Sequence, residues 1–299
     1  LAAGLMSQHA QAGSPKATTT RSGMFSSGTL NVQRSGEHGS TLILIPGLGS
    51  GAWVWKDTVA HLRGEHVTYT VTLAGFDRTP PAQKKTDLMD QTDASLLQLI
   101  REHHIDKPVL VGHSLGGTLA IRFASEHPDL ISGVVAVDGL PILPGMERLT
   151  AIQRQAAAAS MQQAIAQATP AQFLAQQTGY MQVMGVLDSA VAAKYGAMQA
   201  RSDPGTVARY MAEDATTDLR SALPRISVPL LEISPYNKPD FEKAAAMSKQ
   251  PMISEAQKTA YYQQLLAGAP HVQVVSIAPS RHFVMLDQPQ RFQAALDGF

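Results

Sequence analysis

The stretch Val109-Leu-Val-Gly-His-Ser-Leu-Gly-Gly117 constrains this chain more than any other. A short apolar, β-branched run predicts a buried strand, Gly-His-Ser-Leu-Gly forces a sharp turn, and Leu119 to Glu126 continues at helical period. That order puts Ser114 at the apex of the turn, its backbone strained to positive φ and its hydroxyl clear of the sheet. Glycine is required at Gly112 and Gly116 because side chains there would collide across so tight a turn. The first free amide of the helix, at Leu115, then points at any oxygen that develops negative charge beside Ser114. A glycine-rich connector is the plainer reading, but the strand before and the helix after favour a nucleophile.

Upstream, Thr29 to Arg34 alternates like a strand, Ser35 to Gly39 reads as a turn, and Thr41 to Ile45 is a continuous apolar run typical of a strand covered on both faces. Pro46-Gly-Leu-Gly-Ser-Gly-Ala-Trp53 follows, with glycines that let backbone amides turn outward before a helix ending near Leu62. In the fold that the turn suggests, the amide of Leu48 is a second donor for an oxyanion. A phosphate-binding loop is the rival reading, and the missing Gly-Lys-Ser/Thr ending counts against it. Val67 to Leu73 reads as a strand, Asp90 to His103 as a helix, and Gly133 to Val137 as a strand that delivers Asp138 at its carboxyl end. Strands alternating with helices predict an α/β fold with a doubly wound, mostly parallel sheet, whose chemistry sits at the carboxyl ends of the strands. Ser114, Leu48 and Asp138 all fall there.

The alternation breaks from about Leu140 to Thr217, a segment rich in Ala, Gln and Met. Thr169-Pro-Ala-Gln172 reads as a capping box with proline at the first helical position, and Ser202-Asp-Pro-Gly205 as another helix start. Several short helices are expected here as a cap over the site. Its methionines, Met146, Met161, Met181, Met184, Met198 and Met211, can line an apolar pocket or pack the cap onto the main body; about two of the six are expected to touch substrate. After it, Asp218 to Ile226 reads as a helix, Val228 to Ile233 as a strand, Ser234 to Ile253 as a long connection, Glu255 to Leu266 as a helix, Val272 to Ile277 as the last strand, and Gln290 to Leu296 as the closing helix. The expected organisation is a tail over 1–24, an α/β core over 25–139 and 218–299, and a helical cap over 140–217.

Composition limits the function classes. Lys plus Arg balances Asp plus Glu at 24 each, which disfavours a polyanionic partner such as nucleic acid. The chain has no cysteine, which excludes thiol catalysis and thiolate metal sites. No apolar run approaches the roughly 20 residues of a membrane span. Leu1-Ala-Ala-Gly-Leu-Met and the small-residue pattern His9-Ala-Gln-Ala12-Gly13 look like the end of a signal peptide, so export is expected; an ordinary tail would read much the same.

Pro46-Gly-Leu-Gly-Ser, Gly112-His-Ser-Leu-Gly and Ser280-Arg-His-Phe-Val-Met-Leu-Asp-Gln-Pro289, in that order, resemble the α/β-hydrolase superfamily over roughly Phe25 to Phe299. The resemblance implies a serine esterase- or lipase-like chain with a nucleophile, an acid and a histidine, making Ser114 the nucleophile and His282 the general base. His113 beside the nucleophile reads as a structural residue of the turn, and His103, His104 and His271 carry no supporting motif. Family resemblance puts the acid most often after the strand ending at Ile233, where the first carboxylate is Asp240; the alternative position, after the preceding strand, holds Asp138. Asp138 is the expected acid, and Asp287 is expected to anchor the loop before the last helix.

A carboxylic ester, or a lactone, of a small to medium, largely apolar substrate is expected to be cleaved, with no metal and no organic cofactor. Glu147, Glu213 and Asp214 keep an aminopeptidase in play as the cap carboxylates that could hold a free amino terminus. A carbon–carbon bond hydrolase or perhydrolase would use the same parts. The other class is a ligand-binding or signalling protein of the same fold with little turnover. Serine at the apex argues against epoxide hydrolases and dehalogenases, which carry aspartate there.

Overall fold

The computed structural model describes residues 23–83 and 86–299, so the expected tail lies outside the described residues up to residue 22. Eight strands form one sheet: β1 (Met24–Ser27), β2 (Leu30–Ser35), β3 (Thr41–Ile45), β4 (Val67–Thr72), β5 (Val109–His113), β6 (Gly133–Val137), β7 (Leu230–Pro235) and β8 (Val272–Ile277). Their order is β1-β2-β4-β3-β5-β6-β7-β8. The two edge pairings of β2, to β1 and to β4, are antiparallel and the others are parallel. Among the described residues the first strand begins at Met24. β1 left little pattern in the sequence because it is a four-residue edge strand with only Ser27 buried.

The helices are α1 (Lys56–Leu62), α2 (Leu88–Glu102), α3 (Leu115–Glu126), α4 (Ala151–Ala166), α5 (Pro170–Tyr180), α6 (Ser189–Gln199), α7 (Pro204–Thr216), α8 (Lys238–Ser248), α9 (Glu255–Leu266), α10 (Val284–Asp287) and α11 (Pro289–Asp297). Successive side chains of the central strands leave on opposite faces. Ile43, Ile45, Leu110, Val134 and Ala136 join one core with residues of α2, α3 and α9. Leu42, Leu44, Val111, Val135 and Val137 join a second with Trp55, Leu62, Phe292 and Leu296. Each buried Val, Leu, Ile or Phe among them contributes about 1.5–3 kcal/mol over its exposed state, so the strand ends that carry the site stand on a well-packed core.

Between β6 and β7 the chain makes α4 to α7, with a π-helical turn at Met181–Gly185 continuing α5. The expected start signals operate: Thr169 caps α5 in a full capping box with Pro170 in its first turn, and Asp203 accepts the amide of Thr206 at 2.7 Å to cap α7. The segment leaves and returns at one place, where Ile142 bridges Asp218 and the Leu219 amide donates to Pro141 O at 2.8 Å.

Two expectations are corrected here. Asp218 to Ile226 is not a helix; only Leu223–Arg225 makes a single 3₁₀ turn. Asp218 is held in the bridge, and Pro224 has no amide to continue a helical ladder. The connection after β7 is not irregular throughout, since it contains α8. None of the residues of α8 is buried, so it carries no apolar stripe to read. Among the described residues no helix is long and apolar enough to cross a membrane.

Candidate active site

Ser114 occupies the turn between β5 and α3 with φ 53° and ψ −121°, the left-handed backbone that the motif requires. Its amide donates to Val137 O at 2.9 Å, and its carbonyl accepts from Gly117 and Thr118 at 2.8 and 3.0 Å. At Gly116 an added Cβ would stand 2.3 Å from Ile45 O, because α3 starts hard against the end of β3. Ten of the twelve residues of α3 are buried, so the direction of its N-terminus is fixed. Among the described residues the amides of Leu48 and Leu115 donate to no protein acceptor. The loop carrying Leu48 is pressed onto the turn, since a Cβ on Gly47 would lie 3.1 Å from that of Ser114.

His282 lies in the loop after β8, and its Nδ1 donates to Asp138 Oδ2 at 2.5 Å. Asp138 follows β6 directly, with φ 49° and its amide bonded to Ile233 O at 3.0 Å. The structure thus brings Asp138, and not Asp240, to the histidine. Asp240 sits on α8 and takes a two-pronged contact from Arg281 at 2.7 and 2.8 Å, which holds its carboxyl below the usual carboxylate range. Burial works to raise the pKa of Asp138, but the charge of Lys258, the charge and hydrogen bond of His282 and the hydroxyl of Tyr262 prevail and hold it well below that range.

His113 is fully buried, and its Nε2 donates to the carbonyl of His282 at 3.1 Å while the two rings lie 4.6 Å apart. Burial, then the charge of His282, pushes its pKa far down, so it supports the loop as a neutral ring. Asp287 anchors the same loop, accepting the amides of Leu187 at 2.9 Å and Arg281 at 2.8 Å. The π-helical turn completes the attachment: His282 N donates to Met184 O, Phe283 N to Gly185 O, and Arg281 Nη1 to Gln182 O and Val186 O. The histidine loop is therefore bonded to the helical segment between β6 and β7, a link between residues about 100 apart that no local pattern announces.

Ser114, Asp138 and His282 border one cavity of about 520 Å³, whose apolar wall includes Leu143, Val183, Met184 and Phe241. Of the six methionines, Met184 lines it. Met146 and Met181 are buried in the two cores and Met161 packs against the first, because methionine fills irregular gaps there. Glu147, Glu213 and Asp214 stay outside the cavity. Glu213 caps α2 by accepting the amides of Leu88 and Met89 at 2.8 and 2.9 Å. A larger cleft of about 790 Å³ lies over β1 and β2, bordered by Trp53 and Asp77, and contains none of the three. Metal-type ligands converge, among the described residues, at Asp93, Glu126 and His127, which also stand apart from the cavity.

A family model described as the alpha/beta hydrolase family matches residues 42–295. The chain belongs to that family. This α/β hydrolase is 29% identical over 207 residues to the pimeloyl-acyl-carrier-protein methyl ester esterase of Vibrio cholerae, a match covering 67% of this chain and 76% of that one. It is 32% identical over 113 residues to RutD of Serratia proteamaculans, a carbamate hydrolase by name, covering 36% of this chain and only 40% of that relative's length. The enol-lactonase of Burkholderia xenovorans shares the α/β-hydrolase fold at a TM-score of 0.69 and 17% identity, over 90% of this chain and 95% of that one.

Sequence reasoning missed Tyr262 and Lys258, which reach the site from α9, and Tyr180, whose ring stands edge-on to His282 at 6.1 Å. Lys258 and Tyr262 are four residues apart and so share a helix face, but nothing in the sequence said that the face meets Asp138.

Proposed function

We propose that this chain is a serine hydrolase that cleaves a carboxylic ester, or a lactone, of a small to medium, largely apolar acid through an acyl-enzyme on Ser114. The observation that carries the reading is the 2.5 Å hydrogen bond from His282 Nδ1 to Asp138, made at the wall of the cavity that also holds Ser114. That bond commits Nδ1 as donor and leaves Nε2 to act as base. His282 Nε2 takes the Ser114 proton as Oγ attacks the carbonyl carbon, and Asp138 stabilises the imidazolium that forms. The amides of Leu48 and Leu115 receive the oxyanion, each contributing on the order of 10²- to 10³-fold in rate. Collapse expels the alcohol, which leaves with the proton from His282. Water then attacks the acyl-enzyme with the same base and releases the acid.

The apolar wall favours an acyl chain over a charged group, and the printed name of the Vibrio cholerae relative is that of a methyl ester esterase. The cap carboxylates that an aminopeptidase reading needs are turned to other uses, as Glu213 is at α2. The segment 140–217 is read as the cap that closes this cavity. Turnover of aryl esters of graded acyl length and of lactones, with Ser114→Ala as control and phosphonate labelling of Ser114 read by mass spectrometry, tests the proposal. Labelling at Ser114 and loss of turnover in the variant are expected; equal rates for the two proteins would sink it.

A further inference from the structure

Asp138 is gripped from two sides. His282 takes Oδ2, and the hydroxyl of Tyr262 donates to Oδ1. Tyr262 is buried on α9, where burial and the charge of Asp138 keep its phenol protonated as a donor. One turn earlier, Lys258 donates from Nζ to the carbonyl of Pro235 at the end of β7, with Nζ 4.9 Å from the centre of the Tyr262 ring. Both side chains border the cavity of Ser114.

We infer that Tyr262 and Lys258 are positioning residues that fix the orientation and the charge of Asp138 for its hydrogen bond to His282. This rests on the function proposed above. A carboxylate anchored through one oxygen is hindered from rotating, which keeps the other oxygen aimed at Nδ1. A buried carboxylate also needs a countercharge, and the surroundings restrict where it comes from. Glu232 on β7, in register with Ala136 of β6, is fully buried. Burial and the charge of Asp138 drive its pKa well up, which favours its neutral form, and a carboxyl supplies no positive charge in either form. His113 on β5 is neutral, Tyr180 on α5 presents a ring edge, and the charge of Arg281 is taken by Asp240. Lys258 supplies the fixed positive charge.

A packing role alone would alter stability or KM; a positioning role moves kcat, the pH profile and the proton between the two residues. Tyr262→Phe, Lys258→Met and Lys258→Arg are compared with wild type for kcat, KM and the pH dependence of kcat/KM on an aryl ester, with folding checked by circular dichroism. Tyr262→Phe is expected to lower kcat by about 10- to 100-fold at nearly unchanged KM, by analogy with the loss when the outer hydrogen-bond partner of a metal ligand is removed. Because Asp138 is then less stabilised as an anion, the acid limb moves to higher pH in Tyr262→Phe and in Lys258→Met, and Lys258→Arg restores most of the difference. The downfield proton resonance of the His282–Asp138 hydrogen bond should shift in the same two variants. Folded variants with unshifted limb and unshifted resonance overturn the inference. The resonance reads the positioning without turnover, so it decides this point even if Ser114→Ala hydrolyses as fast as wild type, an outcome that would count against the serine mechanism instead.

Discussion

His282 and Asp138, 144 residues apart in sequence, meet at 2.5 Å because β6 and β7 are neighbours in the sheet and the His282 loop returns beside them. Asp138→Asn should therefore lower kcat by on the order of 10³- to 10⁴-fold while thermal stability is little changed, since the histidine loses its orienting partner. Asp240→Asn weakens the hold on Arg281 and should reduce kcat by no more than about 10-fold. Steady-state kinetics on the two variants, with the order of effects reversed, would contradict this assignment.

The approach of α3 to β3 sets a second expectation. In Gly116→Ala the new Cβ would meet Ile45 O at 2.3 Å and Pro46 O at 2.7 Å, both backbone atoms that cannot swing away. Destabilisation of about 3 kcal/mol or more is expected, at the upper end of what overpacking a packed interior costs. Chemical denaturation measures it, and a loss under about 1 kcal/mol would show that the turn has room to spare.

Asp214, half-buried on α7, carries a pH signature. Burial raises its pKa from 3.8 to about 7. The folded chain then binds a proton that the unfolded chain releases between about pH 4 and 7. Its contribution is complete below pH 4 and lost as the pH rises through 7. Asp214→Asn should gain stability over wild type between pH 5 and pH 8, on the order of 1–3 kcal/mol. Glu213, also raised to about 7 by burial, slopes both proteins alike. Equal denaturant midpoints for the two proteins at pH 8 would refute the expectation.

Val183 lines the cavity while 64% exposed, which puts it at the rim. Val183→Trp should narrow the entrance with a stability change within about 0.5 kcal/mol, as for surface substitutions generally. Profiles of kcat/KM against acyl length should shift to shorter chains; an unchanged profile would mean that the acyl group enters elsewhere.

What could be read from the chain was local. The turn at Ser114, the buried runs of β3 and β6, and the caps at Thr169 and Asp203 each depend on residues within about four positions, where sterics and backbone hydrogen bonding decide. Elements without such a signature were lost: β1 is short and at an edge, and α8 buries no residue.

The sequence by itself determined the strand–turn–helix that raises Ser114, and the order of serine, candidate acids and histidine. Only the tertiary structure brought Asp138 rather than Asp240 to His282, bonded the His282 loop to Met184 and Gly185, and placed Tyr262 and Lys258 beside Asp138. A turn is fixed by the steric limits of its own few residues. The meeting of β6, β7, α9 and the last loop is fixed by sheet order and by which apolar faces pack together, and those are properties of the whole chain.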